Sequence, residues 1–155
     1  MKKIIFIMIA FIVVSAAGCK SAPPPPHPFT EVMDAEWKLI EVRTGGDADI
    51  KFDRDTLVSE GFPDIFTLTF EIETFSGKGA PNTYSAPFAV GDNFDISVQP
   101  VNTTQMAVLT QPEKLIEHDF LVYIQNMYGW KLADEKLELT TKGESGGEIK
   151  MIFAK

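Results

Sequence analysis

Apolar and polar residues alternate along several short segments, the pattern of half-buried β-strands. In the clearest segment, residues 66–73, Phe66, Leu68, Phe70 and Ile72 share one face, and threonines and glutamates form the other. The other predicted strands are residues 36–43, 83–90, 94–98, 106–109, 130–132, 137–140 and 148–154. The chain is therefore predicted to be mainly β.

Three local signals refine this pattern. Gly91-Asp92-Asn93 predicts a hairpin turn between two of the strands, and Gly77-Lys78-Gly79 predicts another turn. Pro87 has no N–H to donate, so we expect its strand to lie at a sheet edge.

Residues 111–127 follow the period of a helix instead. The predicted apolar face carries Ile116, Phe120, Tyr123, Ile124 and Met127, and the predicted polar face carries Glu113, Lys114, Glu117, Asp119 and Gln125. Thr110 and Glu113 have the spacing of a capping box, and Gly129 is a plausible stop. The predicted fold class is α+β, mainly β: a compact antiparallel sheet or barrel-like domain with one amphipathic helix packed on it.

The first 18 residues have the three zones of a secretory signal peptide: two lysines, an apolar run and a group of small residues. The apolar run is shorter than the roughly 20 residues that a membrane-spanning helix needs. Ala16-Ala17-Gly18-Cys19 resembles the lipobox of bacterial lipoproteins, with Ala16 in place of the usual leucine. We therefore expect lipid attachment at Cys19, the alternative being a free thiol beside an ordinary cleavage site.

This reading divides the chain into a signal peptide (1–18), a lipidated cysteine with a proline-rich spacer (19–30), and one domain (31–155). Cys19 is the only cysteine, so the domain cannot form an internal disulfide. Acidic residues outnumber basic ones by 22 to 14, which makes nucleic acid and anionic headgroups poor partners.

The sequence contains one serine motif of the kind found in hydrolases. Gly143-Glu144-Ser145-Gly146-Gly147 fits G-x-S-x-G, but Ser145 lies between two predicted strands rather than between a strand and a helix. The candidate bases are His27 in the spacer and His118 on the polar side of the helix. We interpret the motif as a hairpin loop and keep a Ser145 hydrolase only as an alternative to be tested.

Metal and cofactor sites are not predicted. Two histidines and one cysteine cannot form a usual zinc site, and the acidic loop containing Asp47, Asp49, Asp53 and Asp55 lacks the order of a calcium loop. Carboxylates on a single helix, Glu113, Glu117 and Asp119, do not face one another across a cleft. Four aromatic residues are candidates to line a ligand site: Trp37, Trp130, Tyr84 and Tyr128. Aromatic residues in strands more often pack in the core, so we favour core packing for them.

Taken in order, several motifs resemble the META domain of HslJ-like bacterial lipoproteins. They are Trp37-Lys38-Leu39, Asn82-Thr83-Tyr84, Thr104-Gln105-Met106-Ala107, Glu113 and Phe120 in the helix, Tyr128 with Leu132, Leu137-Glu138-Leu139, and Met151-Ile152-Phe153. Two cysteines found in many members are replaced by Pro81 and Val108, so no redox role is carried over. The resemblance implies a compact β domain with one helix, exported or membrane-anchored, with no catalytic activity established for the family.

The asparagine and tyrosine of the second motif allow two interpretations. In the structural one, Asn82 bonds its own backbone to hold a tight turn and Tyr84 packs against the helix. In the functional one, Asn82, Tyr84, Thr103 and Thr104 border a polar patch that recognises another envelope component.

The preferred function is a non-enzymatic envelope lipoprotein whose domain is an interaction or stress-tolerance module. The alternative is a small-ligand carrier, which requires an internal cavity. The expected partners are the membrane, through the anchor at Cys19, and an envelope protein. Lys20 and Ser21 are not the aspartate that retains many lipoproteins in the inner membrane, which favours the outer membrane, facing the periplasm.

Overall fold

The computed structural model describes residues 28–44, 54–107 and 110–155. The predicted signal peptide, Cys19 and nearly all of the spacer lie outside these residues. So do Asp47, Asp49 and Asp53 of the acidic loop.

The described residues of the domain form nine strands and two α-helices. The strands are β1 (Trp37–Thr44), β2 (Thr67–Phe70), β3 (Thr74–Lys78), β4 (Thr83–Val90), β5 (Ile96–Val98), β6 (Asn102–Thr103), β7 (Gly129–Ala133), β8 (Lys136–Lys142) and β9 (Glu148–Ala154). The helices are α1 (Arg54–Ser59) and α2 (Glu117–Gln125), and two short 3-10 helices span Pro28–Glu31 and Asp92–Phe94.

The strands form one antiparallel sheet that nearly closes into a barrel. Their order is β5-β4-β3-β2-β1-β9-β8-β7, and β6 pairs with β4 next to β5. A bridge between Asp95 and Gly129 joins the two ends of this order. The predicted mainly β, barrel-like fold is confirmed.

Large apolar side chains fill the inside of the barrel. Those with no exposed surface include Trp37, Phe66, Phe70, Phe75, Phe120 and Phe153. Phe29, from the segment that enters the domain, packs against Phe70 at the end of β2, with ring centroids 5.1 Å apart. Removing one such buried ring costs roughly 3–5 kcal/mol, so the filled interior is the main source of stability.

Helix α2 packs against the barrel through its buried face. The ring of Phe120 lies 4.6 Å from that of Phe66, just before β2. Thr141 of β8 donates a hydrogen bond to the Tyr123 carbonyl at 2.6 Å, and the Gln125 side chain accepts one from the N–H of Val101 at 2.8 Å. These two bonds tie the helix to β8 and to the segment between β5 and β6.

The predicted strand at residues 66–73 is shorter than its alternation suggests. β2 ends at Phe70 and the chain turns, with the Glu71 N–H donating to the Thr74 carbonyl at 2.8 Å. Ile72, predicted to share the buried face, is 85% exposed at this turn. That part of the prediction is wrong because the alternation continues through the turn.

Two other predicted strands also need correction. In the 94–98 segment the strand begins at Ile96, and Phe94 lies in a 3-10 turn with a φ of 65°. Residues 106–107 form no strand, because the Met106 N–H bonds the Asn82 side chain instead of a neighbouring strand. Val108 and Leu109 lie outside the described residues.

The predictions for Pro87 and Gly77-Lys78-Gly79 were wrong as well. β4 has β3 on one side and β5 and β6 on the other, so it is not an edge strand. Pro87 lies where β4 changes partner from β6 to β5, and its carbonyl accepts a bond from the Gln99 N–H at 3.0 Å. Gly77 and Lys78 belong to β3 rather than to a turn.

The predicted helix is present but covers less of the chain. α2 begins at Glu117, and its first N–H bonds the side chain of Gln111 at 2.9 Å, so the proposed Thr110 and Glu113 capping box is wrong. Glu113 lies before the helix, and Gly129 begins β7 rather than ending α2. The six-residue α1 was not predicted. Within the described ranges, no helix has the length and apolar character needed to cross a membrane.

Candidate functional site

A buried carboxylate joins the start of α2 to the loop between β3 and β4. Glu117 is 5% exposed, although it was predicted to lie on the polar face. Its Oε1 accepts hydrogen bonds from the N–H groups of Ala80 at 2.5 Å and Asn82 at 2.7 Å, and its Oε2 accepts one from Asn82 Nδ2 at 2.7 Å. A charge removed from water is tolerated when its oxygens are paired in this way.

The helical spacing of Glu117 in the sequence indicates a buried position, although its charge favours an exposed one. Glu117 precedes Phe120 by three residues and Ile124 by seven, so all three lie on the same helix face. That face is the buried one. Ile116 is correspondingly 42% exposed, the reverse of its prediction.

Asn82 continues the network on its other side. Its Oδ1 accepts bonds from the Thr104 hydroxyl at 2.9 Å and the Met106 N–H at 2.8 Å. The Thr104 hydroxyl in turn accepts a bond from the Thr83 N–H at 3.1 Å. The Asn82 side chain therefore bonds Glu117, Thr104 and Met106, and not its own backbone as the structural interpretation expected. The tight turn itself is closed by the Gly79 N–H, which donates to the Asn82 carbonyl at 2.6 Å.

Tyr84 packs below this network, against the helix. Its ring centroid lies 5.6 Å from that of Phe120, and its hydroxyl donates to the Thr67 carbonyl at 2.6 Å. Gly77 makes this close approach possible, because a Cβ there would lie 1.9 Å from the Thr67 carbonyl oxygen and 2.6 Å from the Tyr84 hydroxyl. Burial raises the pKa of the Tyr84 phenol well above its usual range.

An open groove lies on the outer face of β2, β3, β4 and β6, with a volume of about 620 Å³. We call it the hydroxyl groove, since seven of its twelve lining residues are serine or threonine. It is lined by Glu36, Thr67, Thr69, Ser76, Gly77, Lys78, Thr83, Tyr84, Ser85, Asn102, Thr103 and Thr104.

Three of the four residues of the predicted recognition patch, Tyr84, Thr103 and Thr104, line this groove, and Asn82 lies beside it, bonded to Thr104. Thr103 and Thr104 are exposed on its rim, whereas Asn82 is 8% exposed and Tyr84 is 3% exposed. The two buried residues support the surface from below. Recognition through the patch stays a prediction.

The serine motif lies in the hairpin loop between β8 and β9, where Gly143 and Gly147 are joined by a backbone hydrogen bond of 3.0 Å. His118 pairs with Glu144 of this loop at 3.0 Å, and both side chains are about two-thirds exposed, at 68% and 70%. Among the hydrogen bonds of the described residues, none joins Ser145 to His118. The geometry gives no support to a Ser145 nucleophile.

The remaining candidates are the aromatic residues and the metal-ligating residues. Trp37, Trp130 and Tyr84 are core residues, while Tyr128 is 38% exposed and donates to Glu148 at 2.9 Å. In the part of the chain that the structure describes, no three metal-ligating side chains come together. Aromatic rings occupy the inside of the barrel, and the hydroxyl groove is open. Neither the barrel interior nor the groove therefore favours an enclosed ligand.

The sequence of this chain matches the model of a known protein family. The model of the META domain matches residues 30–152, most of the chain. The chain belongs to the META domain family. None of the curated proteins compared with this META domain matches it.

Two solved structures share the fold of this META domain. One is the NMR structure of a protein from Burkholderia xenovorans, which is 20% identical, has a TM-score of 0.52, and covers 86% of this chain and 92% of its own. The other is the crystal structure of a DUF4847 family protein from Bacteroides vulgatus, which is 14% identical, has a TM-score of 0.53, and covers 83% of this chain and 96% of its own. At these identities the likeness concerns the fold alone.

The first prediction concerns Glu117. Glu117→Ala leaves three buried N–H groups without an acceptor, at about 1–3 kcal/mol each if the losses were separate. Since they share one partner, we expect a total loss of about 3 kcal/mol or more in the free energy of unfolding, measured by urea titration. Glu113→Ala, an exposed carboxylate four residues earlier, is the control and should change stability by less than about 0.5 kcal/mol. A loss below about 1 kcal/mol for Glu117→Ala would contradict this role.

The second prediction concerns Tyr84 at alkaline pH. Because the pKa of Tyr84 is raised in the folded state, its contribution to stability is complete below about pH 10 and is lost as the pH rises from there through the folded-state pKa. Tyr84→Phe should lower stability by about 1 kcal/mol at neutral pH and make the alkaline decline less steep. Urea titrations across the alkaline range measure both effects. Tyr128→Phe is the comparison: desolvation and the bond to Glu148 raise the pKa of this exposed phenol less than burial raises that of Tyr84, so it should change the alkaline decline less. An alkaline decline that is unchanged in Tyr84→Phe would show that other groups cause it.

Proposed function

We propose that this META-domain protein is a lipoprotein of a bacterial cell envelope, anchored through Cys19, and that its domain is a non-catalytic interaction or stress-tolerance module. The proposed anchor rests on the sequence of residues 1–19, and the spacer that follows lets the domain extend from the lipid surface. We place the anchor in the outer membrane, with the domain facing the periplasm.

The hydroxyl groove is the observation that carries the interaction role. Its exposed polar side chains, such as Ser76, Ser85 and Asn102, lie on the outside of the barrel, where they are not needed to satisfy the core. In contrast, the buried polar groups of Glu117, Asn82 and Tyr84 are engaged with one another or with the backbone. The polar chemistry that remains available is therefore on the surface and suits binding rather than catalysis.

The third prediction tests the anchor. Cys19→Ala should abolish incorporation of a palmitate analogue and move the protein from the membrane fraction to the soluble fraction, because no other acylation site is available in a chain with one cysteine. Labelling followed by fractionation of intact cells measures both. The matched control is Ser21→Ala, which leaves the cysteine in place and should not alter either result. Labelling that persists in Cys19→Ala would overturn the assignment.

The fourth prediction tests the interaction surface. A diazirine-bearing residue at Ser85 or Thr103 should form a defined adduct in intact cells, because both positions face the hydroxyl groove. Ser97, an exposed serine on the neighbouring strand β5 and outside the groove, is the matched control. Exposed positions are chosen because changing Asn82 or Tyr84 would disturb the core. Equal adducts at Ser97, or none at the groove positions, would contradict the interaction module.

A further inference from the structure

Strand pairing aligns polar side chains in a row across the hydroxyl groove. Thr69 of β2 pairs with Ser76 of β3, Ser76 pairs with Ser85 of β4, and Ser85 pairs with Asn102 of β6. Paired residues lie on the same face of a sheet, and neighbouring strands are about 4.8 Å apart. The four side chains therefore span about 14 Å, with one polar group on each strand.

The row is accessible. Ser76, Ser85 and Asn102 are exposed, and Thr69 is half-buried. Its members all have short side chains that carry a hydroxyl or amide group. Lys78 and Thr83, which also pair with each other, continue the polar surface beside the row.

The charge of the groove differs from that of the whole chain. The chain carries a formal charge of −8, but the groove is lined by one acid, Glu36, and one base, Lys78. A groove with no net charge does not select anions or cations. Hydroxyl and amide side chains both donate and accept hydrogen bonds, so their best complement is a neutral ligand that does the same along its length.

We propose that the hydroxyl groove binds a neutral oligosaccharide segment of an envelope glycan. This inference rests on the proposed function, because it names the ligand of the same surface. A sugar chain presents hydroxyl groups that donate and accept at regular intervals, as the row from Thr69 to Asn102 does. An extended peptide would need a free strand edge for its backbone, and the row offers side chains on a sheet face instead.

The test uses the natural lipoprotein, labelled with ¹⁵N and purified in a detergent without a sugar headgroup. Triacetylchitotriose and maltotriose are the two probes, since the first represents amino-sugar glycans and the second neutral hexose glycans. We expect amide shifts centred on Ser76, Ser85 and Asn102 with at least one of the two probes. The probe that binds more tightly identifies the source of the glycan.

A double variant and a matched control locate the binding. Ser76→Val/Ser85→Val removes two central hydroxyls at exposed strand positions where valine is well tolerated, and should weaken binding at least tenfold. Ser97→Val makes the same change on β5, outside the groove, and should leave affinity unchanged. Unfolding curves of both variants establish that each is folded.

Each alternative result has a defined meaning. Absence of shifts with both probes, or shifts that persist in the double variant, would overturn the oligosaccharide assignment. If the groove positions nevertheless form a protein adduct in cells, the interaction module stands and its partner is a protein. If neither experiment gives binding at the groove, the proposed function fails together with the ligand.

Discussion

One buried carboxylate joins distant parts of the fold. Glu117 ties the start of α2 to the loop between β3 and β4 through three N–H groups. A carboxyl group removed from water is strongly unfavourable unless it is hydrogen-bonded, so these partners are a condition for burying Glu117 at the start of α2. The same requirement explains Gly79, where a Cβ would lie 2.4 Å from Glu117 Oε1.

This interaction also shapes the surface. Asn82 bonds Glu117 through its amide nitrogen and holds Thr104 and Met106 through its amide oxygen. The segment that follows β6 is thereby fixed beside β4, and with it the rim of the hydroxyl groove. The structural and functional interpretations of Asn82 are therefore not exclusive, because a buried side chain that stabilises the fold also positions the residues that solvent and ligands can reach.

Much of the fold could be predicted from periodicity, and the errors have physical causes. Strand β4, for example, was located correctly because one of its faces is more deeply buried than the other. Ile72 was misplaced because a turn interrupts a pattern that the sequence continues. Pro87 was misplaced because a strand can change partners along its length, which no local pattern records.

The candidate site was harder to predict, because its parts come from distant positions. Glu117 and Asn82 are 35 residues apart in the chain, and neither carries a local sign of the other. The spacing of Glu117 from Phe120 and Ile124 pointed to the buried face, but a charged residue there contradicts the usual preference for apolar side chains. Glu117 was therefore predicted to lie on the surface because it is charged, although its helical spacing from Phe120 and Ile124 places it on the buried face.

The hydroxyl groove differs in kind from this buried network. In the buried network, Glu117, Asn82 and Tyr84 each have a specific partner, and losing that partner is costly. On the groove, water can replace any partner, so exposed serines and threonines are retained there without cost to the fold. Because the groove carries one acid and one base, the proposed binding would depend on the positions of hydroxyl and amide groups across four strands rather than on net charge. The strand register that closes the barrel is therefore also what sets the spacing of these groups.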